Sequence, residues 1–168
     1  REFCSEYGTT VYHDGTCAKL AIYCGLIENL EETVYPIVAE ILSEQGMNPA
    51  ESILKYHGGN KTYPQPENAE FEFASLDTSL SKIRVVLLVQ IGKEGWDCHS
   101  LASVILPHEK SCPRNMVLQT CCRCLRQVQR HAQESALIWL NESNASTLNK
   151  QLLQRLNISL REFCARPI

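Results

Sequence analysis

The stretch IRVVLLVQI, residues 83–91, is the feature that most constrains the fold of this chain. It is nearly continuous in valine, leucine and isoleucine, which is typical of a strand that is covered on both faces inside a parallel sheet. A strand of this kind needs apolar partners above and below it, because both of its faces carry side chains that avoid water. We therefore predict that residues 83–91 form an internal strand of the sheet.

Strand and helix patterns alternate along the rest of the chain. Short apolar runs predict four more strands, at residues 18–24, 52–56, 101–106 and 136–140. Residues 31–45 and 113–131 carry apolar side chains at helical spacing, and a turn at 57–60 is followed by a loop at 62–70 that contains prolines. This alternation predicts right-handed crossovers and an α/β fold, a three-layer sandwich with a mostly parallel sheet.

The length of 168 residues suits one hydrophobic core, and no stretch indicates a second one. We expect residues 1–17 to form an N-terminal linker or hairpin, residues 18–143 the folded domain, and residues 144–168 a C-terminal helical extension. Because the chain begins with Arg1 and shows no signal-peptide pattern, we expect it to be a piece of a longer protein. No apolar run approaches the length that spans a bilayer.

Charge and cysteine content narrow the class of protein. A net charge of -3 argues against a basic domain that holds nucleic acid by bulk electrostatics, so any such contact is expected to be local. The cysteine count of 9 is odd, and Cys121, Cys122 and Cys124 crowd one helix-like segment where they can hardly pair with one another. Reduced thiols and a cytoplasmic location are therefore the favoured interpretation.

Two patterns favour other classes. Asparagines at positions 60, 141, 144 and 157 satisfy the N-glycosylation rule, which suits a secreted, disulfide-linked glycoprotein, although a rule this short is also met by chance. The cysteines and His99 between positions 98 and 124 offer soft ligands for zinc. Their spacing lacks the two separated pairs of a structural zinc site, so we predict no metal site and buried free cysteines in the core.

The predicted helix at 113–131 carries two stripes. The apolar stripe contains Val117, Cys121, Cys124 and Val128, widened by Leu118, Cys122 and Leu125. The second stripe has the same spacing two positions further along the chain and contains Gln119, Arg123, Arg126 and Arg130. This stripe places one amide and three guanidiniums along a single edge of the helix, where they could act on a ligand together. The alternative interpretation is an ordinary helix face that is exposed to solvent.

Three motifs in this chain resemble those of the C-terminal RecA-like domain of superfamily 2 (DEAD/DEAH-box) helicases. QTCCRCLR at 119–126 resembles the Q-x-x-G-R-x-x-R motif near the end of such motors. GKEGWD at 92–97 resembles the E-G-W-D turn that precedes it, and YHG at 56–58 resembles the H-G element after the second strand. The E-G-W-D form is most similar to the Res subunit of type III restriction-modification enzymes.

By this resemblance, residues 18–143 are the P-loop NTPase-like second lobe of an ATP-dependent DNA helicase or translocase. The parent enzyme would use ATP and Mg²⁺, with the Mg²⁺ held by a first lobe that this chain lacks. Arg126 and Arg123 would serve as arginine fingers, and Gln119 would orient this network or the attacking water. The resemblance assigns nucleotide binding to Glu94, Gly95 and Asp97, and contact with DNA to His57, Gly58, Gly59 and Lys93.

Two departures from the family shape the expected function. Cys122 stands where the family has glycine, which leaves a decayed lobe or a non-catalytic interaction module of the same fold as the alternative. The chain contains neither a G-x-x-x-x-G-K-[ST] phosphate loop nor an acidic D-E segment, so we expect neither tight nucleotide binding nor ATP hydrolysis by this chain alone. The expected partners are the first lobe, DNA and, by the restriction resemblance, a modification methyltransferase subunit, with no membrane.

Overall fold

A computed structural model of the chain describes residues 1–89, 96–107, 114–125 and 135–165. Its centre is a sheet of five parallel strands, β1 Lys19–Tyr23, β2 Ile53–Tyr56, β3 Val85–Leu88, β4 Leu101–Leu106 and β5 Leu137–Leu140. The strands lie in the order β2-β3-β1-β4-β5, so β3 is internal, as predicted. Because each strand runs in the same direction, all their carboxyl ends meet at one edge of the sheet.

Helices connect and flank the strands. They are α1 Glu2–Tyr7, α2 Ile27–Asn29, a π-helical stretch Leu30–Val34, α3 Tyr35–Glu44, α4 Pro49–Ser52, α5 Ala69–Ala74, α6 Arg114–Arg123, α7 Glu142–Leu156 and α8 Leu160–Ala165. The predicted helix at 31–45 corresponds to the π-helical stretch and α3 together. Of the predicted helix at 113–131, position 113 and positions 126–131 lie outside the described residues.

The sheet lies between two apolar layers, which confirms the three-layer α/β sandwich. Along β3, Val85 and Leu87 point to the face that is covered by Phe3 of α1 and Leu42 of α3. The alternate residues Val86 and Leu88 point to the other face. That face is covered from α5, α6 and α7 by Ala69, Val117, Cys121, Leu148 and Leu152. Successive side chains of a strand point to opposite faces of the sheet, and both faces of β3 are covered. Every residue of β3 is therefore apolar, which explains the uninterrupted run in the sequence.

Both ends of the described chain also contribute to these layers. Phe3 of α1 is buried on one face of the sheet, and Leu148 and Leu152 of α7 are buried on the other. The N-terminal segment forms a helix and, beyond it, an isolated antiparallel bridge between Val11 and Cys17. The predicted division of the chain at positions 17 and 143 stays a prediction, but the flanking segments do pack on the sheet.

The cysteines within the described ranges are not joined in disulfides, and most of them pack in or against the apolar core. Burial raises the pKa of Cys24, Cys98 and Cys124 to about 12, so each is a neutral thiol near pH 7. Among the residues that the structure describes, no group of three or more histidine, cysteine or acidic side chains is placed to hold a metal ion. None of the helices in those ranges is long and apolar enough to cross a membrane.

The buried strand β3 gives a direct stability test. Leu87 is 0% exposed, so Leu87→Ala leaves a cavity in the core and should lower the free energy of unfolding by about 2–5 kcal/mol, measured by urea denaturation. Leu80 precedes the same strand and is 89% exposed, so Leu80→Ala should change that free energy by less than about 0.5 kcal/mol. Equal effects of the two changes would contradict the placement of β3 inside the sheet.

Candidate functional site

The turn at 57–60 follows β2 directly and lies at the carboxyl edge of the sheet. The imidazole of His57 is fully buried, and its Nε2 lies 2.9 Å from Oε1 of Glu31. The backbone N–H of Gly59 donates to Nδ1 of His57 at 3.1 Å. Since Nδ1 accepts a hydrogen bond, the ring proton lies on Nε2 and is donated to Glu31. His57 therefore holds the turn in place from inside, and its ring does not face solvent.

Glu31 is the centre of a small charged cluster under this turn. Lys55 on β2 donates to Oε2 of Glu31 at 2.9 Å, and its ammonium lies 4.7 Å from the centroid of the Tyr35 ring. Burial alone would raise the pKa of Glu31, but the hydrogen bonds from Lys55 and His57 outweigh it and hold the pKa below its ordinary value. Glu31 is therefore an anion near neutral pH, and it pairs with the side chain of Lys55 and a buried imidazole.

Two further glutamates tie the loop after the turn to the same helical segment. Asn60 donates from its side-chain amide to Glu28 at 2.7 Å, and the Tyr63 hydroxyl donates to Glu32 at 2.6 Å. The side-chain oxygen of Asn60 also accepts the backbone N–H of Thr62 at 2.9 Å and of Tyr63 at 2.7 Å. The loop is therefore fixed by its own Asx turn and by two contacts to glutamates.

The two glycines of the turn have different roles. Gly59 has a φ of +78°, and a Cβ atom there would lie 2.5 Å from the backbone nitrogen of Gln65, so only glycine fits. Gly58 is exposed, and a Cβ atom there would meet nothing within 4 Å. Of the predicted nucleic-acid residues, Gly58 thus lies at the surface and His57 and Gly59 shape the turn, while Lys93 lies outside the described residues.

An aromatic column, Tyr56, Phe73 and Trp96, joins three separate parts of the chain. The rings of Tyr56 on β2 and Phe73 on α5 are stacked, with centroids 3.9 Å apart and planes at 9°. Phe73 stacks in turn on Trp96, with centroids 5.1 Å apart and planes at 29°. The Tyr56 hydroxyl donates to Glu70 at 2.8 Å, and burial together with this carboxylate raises the pKa of Tyr56 to about 12.

Trp96 at the end of this column contacts Arg123 on α6. Nη1 of Arg123 donates to the backbone carbonyl of Trp96, and the guanidinium carbon lies 5.8 Å from the centroid of the Trp96 ring. Trp96 belongs to the motif that resembles E-G-W-D, and Arg123 to the motif that resembles Q-x-x-G-R-x-x-R. Residues of two predicted motifs therefore touch although 27 positions separate them in sequence. A cation placed over an aromatic face in this way is attracted by the negative charge of the ring.

The other predicted site residues on these two motifs are only partly described. Gln119 and Asp97 are both exposed. Glu94, Gly95 and Arg126 lie outside the described residues, so the predicted convergence of Asp97 with Arg126 stays a prediction. Cys122 was expected to widen the apolar stripe of α6 against the sheet, and this was wrong, because the side chain is exposed. Its position on the helix lies past the edge of the stripe of Val117, Cys121 and Cys124, which is buried.

Asp77 fixes the chain just after Trp96, a role that the sequence analysis missed. Its carboxylate accepts the backbone N–H of His99 at 2.8 Å, the backbone N–H of Ser100 at 3.2 Å and the Ser100 hydroxyl at 2.6 Å. Burial would raise the pKa of Asp77, but these hydrogen bonds outweigh it and lower the pKa. The imidazole of His99 also lies 2.9 Å from Asp14, which ties the N-terminal segment to the same point.

Comparison with known proteins bears on the fold. No protein-family model and no curated protein sequence matches this chain. Among 18 matching solved chains is domain 2 of the Mss116p DEAD-box helicase bound to an RNA duplex, with a TM-score of 0.52 and 12% sequence identity. The match covers 85% of this chain and 49% of that chain, so this chain spans about half the length of the solved one. The likeness shows that the chain has the fold of the second, RecA-like domain of a helicase.

The Glu31 cluster predicts a pH dependence of stability. The pKa of Glu31 in the folded state is lower than its ordinary value of 4.5, so its contribution to stability is complete above that pH and is lost as the pH falls through the folded value. Glu31→Gln should therefore lower the free energy of unfolding by about 1–3 kcal/mol near pH 6, and by progressively less in acid.

The measurement is urea denaturation of both proteins between about pH 6 and pH 3. Glu40 is exposed on α3 in the same region, and Glu40→Gln is the matched control, with no change beyond about 0.5 kcal/mol at any pH. A difference between wild type and Glu31→Gln that grows as the pH falls would contradict the assignment.

Proposed function

We propose that this chain is the second RecA-like motor lobe of a superfamily 2 helicase or translocase that hydrolyses ATP, and that its parent resembles a type III restriction enzyme. The observation that carries the proposal is the contact between Trp96 and Arg123. Two motifs that resemble those of such motors are brought together by a fold of the helicase domain 2 kind. In this proposal the chain supplies charge to a nucleotide that the first lobe binds.

Arg123 suits the nucleotide side of this function. Its guanidinium is permanently charged and planar, and its bond to the Trp96 carbonyl fixes the direction of that plane. Phosphate oxygens accept paired hydrogen bonds from such a fork. ATP with Mg²⁺ supplies the phosphoryl group that is transferred to water, with charge spread over its oxygens in the transition state. Arg126, Gln119, Glu94, Gly95 and Asp97 are proposed to lie on the same nucleotide-facing side.

The turn at 57–60 suits the nucleic-acid side. Its backbone is held by His57 and Asn60 to the glutamates at 28 and 31, and Gly58 is exposed at the carboxyl edge of the sheet, where parallel sheets place their ligands. A rigid, exposed glycine lets a sugar-phosphate backbone approach closely. With a net charge of -3, the chain is proposed to bind through a few local contacts that include Lys93.

The kind of nucleic acid is part of the proposal and is tested separately. The resemblance to type III restriction subunits favours DNA, and a modification methyltransferase subunit is then a further proposed partner. The helicase domain with a similar fold was solved on an RNA duplex. Binding of labelled DNA and RNA oligonucleotides of one sequence, single-stranded and duplex, compares these alternatives directly.

A non-catalytic interaction module of the same fold is the second candidate. It is favoured by Cys122, which stands where such motors have glycine, and by the acidic balance of the chain. The exposure of Cys122 supports the motor, because a side chain that points to solvent does not displace α6 from the sheet. An ATPase assay on a protein in which this lobe is joined to a first lobe separates the two candidates.

Gly58→Ala tests the nucleic-acid face. The new methyl group meets open space in the protein, so the free energy of unfolding should change by less than about 1 kcal/mol. If a nucleic-acid backbone lies against Gly58, the same methyl group should weaken binding by about tenfold, measured by fluorescence anisotropy at low salt. Leu80→Ala, at an exposed position before β3, is the control and should leave the affinity unchanged. Wild-type affinity in Gly58→Ala would place the contact elsewhere.

Arg123→Ala tests the nucleotide face in the two-lobe protein. The lost guanidinium stabilises charge that develops only in the transition state, so kcat for ATP should fall by roughly 10³–10⁵ with nucleic-acid affinity nearly unchanged. Arg123→Lys should fail almost as badly, because lysine keeps the charge and loses the planar fork. Hydrolysis at the wild-type rate in Arg123→Ala would show that Arg123 does not serve the nucleotide.

A further inference from the structure

We propose that Phe73 and Trp96 are positioning residues for Arg123, and that the aromatic column fixes the arginine in the direction that catalysis needs. This inference rests on the proposed function of Arg123 and adds the residues that control it. Neither the motifs in the sequence nor the likeness of fold assigns a role to Phe73. Its ring lies between Tyr56 and Trp96 and contacts both of them.

The base of the column is fixed. Tyr56 is 2% exposed and is part of β2, which pairs along its length with β3. Its hydroxyl is held by Glu70 from the first turn of α5, the same helix that carries Phe73. The stack of Phe73 on Tyr56 is nearly parallel, so the plane of the phenyl ring follows that of the buried tyrosine. Phe73 is therefore a fixed surface on which Trp96 rests.

Trp96 is fixed from its other side as well. The residues that follow it, His99 and Ser100, donate to the Asp77 carboxylate through their backbone N–H groups. The tryptophan is thus held between a ring stack and a backbone anchor, and both its carbonyl and its ring are presented to Arg123. If Phe73 lost its ring, Trp96 would keep the anchor and lose the surface that sets its tilt.

Arginine gains most from such support. Its side chain is long and has several rotatable bonds, so a free arginine loses rotamer entropy when it meets a phosphate. An arginine that is already oriented by a carbonyl and a ring loses less of that entropy at the transition state. The column therefore acts on the rate of the chemical step, and not on the affinity for nucleotide.

The chain offers a matched pair of variants. Phe73→Leu removes the ring stack and keeps an apolar side chain, and Phe73→Tyr keeps the ring as the conservative rescue. Phe71 lies two positions earlier on the same helix and is 74% exposed, so Phe71→Leu makes the same chemical change without touching the column. Urea denaturation is carried out first on each variant, to establish that the variant is folded.

The first experiment needs only this chain and no nucleotide. With ¹⁵N-labelled arginine, the Nε–H signal of Arg123 is identified by its loss in Arg123→Lys. We expect this signal to move to the position of a free arginine and to exchange faster with water in Phe73→Leu, and to stay unchanged in Phe71→Leu and Phe73→Tyr. An Arg123 signal in folded Phe73→Leu that equals the wild-type signal overturns the inference.

The second experiment measures ATP hydrolysis by the two-lobe protein. Phe73→Leu should lower kcat by about 10- to 100-fold, the size of effect that a misplaced catalytic group produces, with KM for ATP changed by less than about twofold. Phe73→Tyr should recover most of the rate. A rise in KM with kcat intact overturns the positioning role.

The two experiments separate the inference from the function on which it rests. If Phe73→Leu releases the Arg123 signal and Arg123→Ala still hydrolyses ATP at the wild-type rate, the column positions the arginine but the arginine does not serve the nucleotide. That result overturns the nucleotide role proposed for Arg123. If Arg123→Ala is inactive and Phe73→Leu is fully active, the proposed function stands and the inference is overturned.

Discussion

The exclusion of water from both faces of β3 is the constraint on which the rest of this structure depends. Val85 and Leu87 need an apolar layer on one side and Val86 and Leu88 need one on the other, so helices have to cover the sheet twice. A sheet covered on both faces leaves only its edges open to ligands. The carboxyl edge is where the turn at 57–60 lies, and the segment that returns from β3 to β4 carries Trp96. The placement of both motifs thus follows from burial.

The fold could be predicted from the sequence because its strands and longer helices each leave a pattern in a short, continuous stretch of residues. Each of the five strands is an apolar run of a few residues, and the alternation with helical spacing specifies layers and direction. The aromatic column could not be predicted from the sequence, since Tyr56, Phe73 and Trp96 lie in three separate segments and no spacing rule relates them. The same holds for Asp77, whose partners are more than 20 positions away. Glu28, Glu31 and Glu32 did leave a signal in the sequence, because their spacing places three acids on one helical face, but no motif assigns them a role.

A sequence motif predicts where a residue lies in the fold better than it predicts which way its side chain points. The H-G element led to an expectation of DNA contact by His57, and the histidine is in the turn as expected, with its imidazole buried against Glu31. The exposed part of the motif is Gly58. Likewise, Cys122 was expected to widen the apolar stripe on α6 together with Leu118 and Leu125, whereas the helix turns that side chain to solvent. In both cases tertiary packing decides which side of a residue is available, and one sequence carries no record of it.

The strand order has a consequence for how the chain is made. β1 lies at the centre of the sheet and pairs with β3 and β4, not with β2, the next strand to be synthesised. Leu20 cannot meet Val85 or Ser103 until the second half of the chain has left the ribosome, and at roughly 5–20 residues per second that wait lasts on the order of 3–15 s. During this wait, β1 and β2 have no partner strand within the sheet, and their apolar side chains are not yet covered. Late pairing of this kind exposes the first two strands of the chain to aggregation while it is being made.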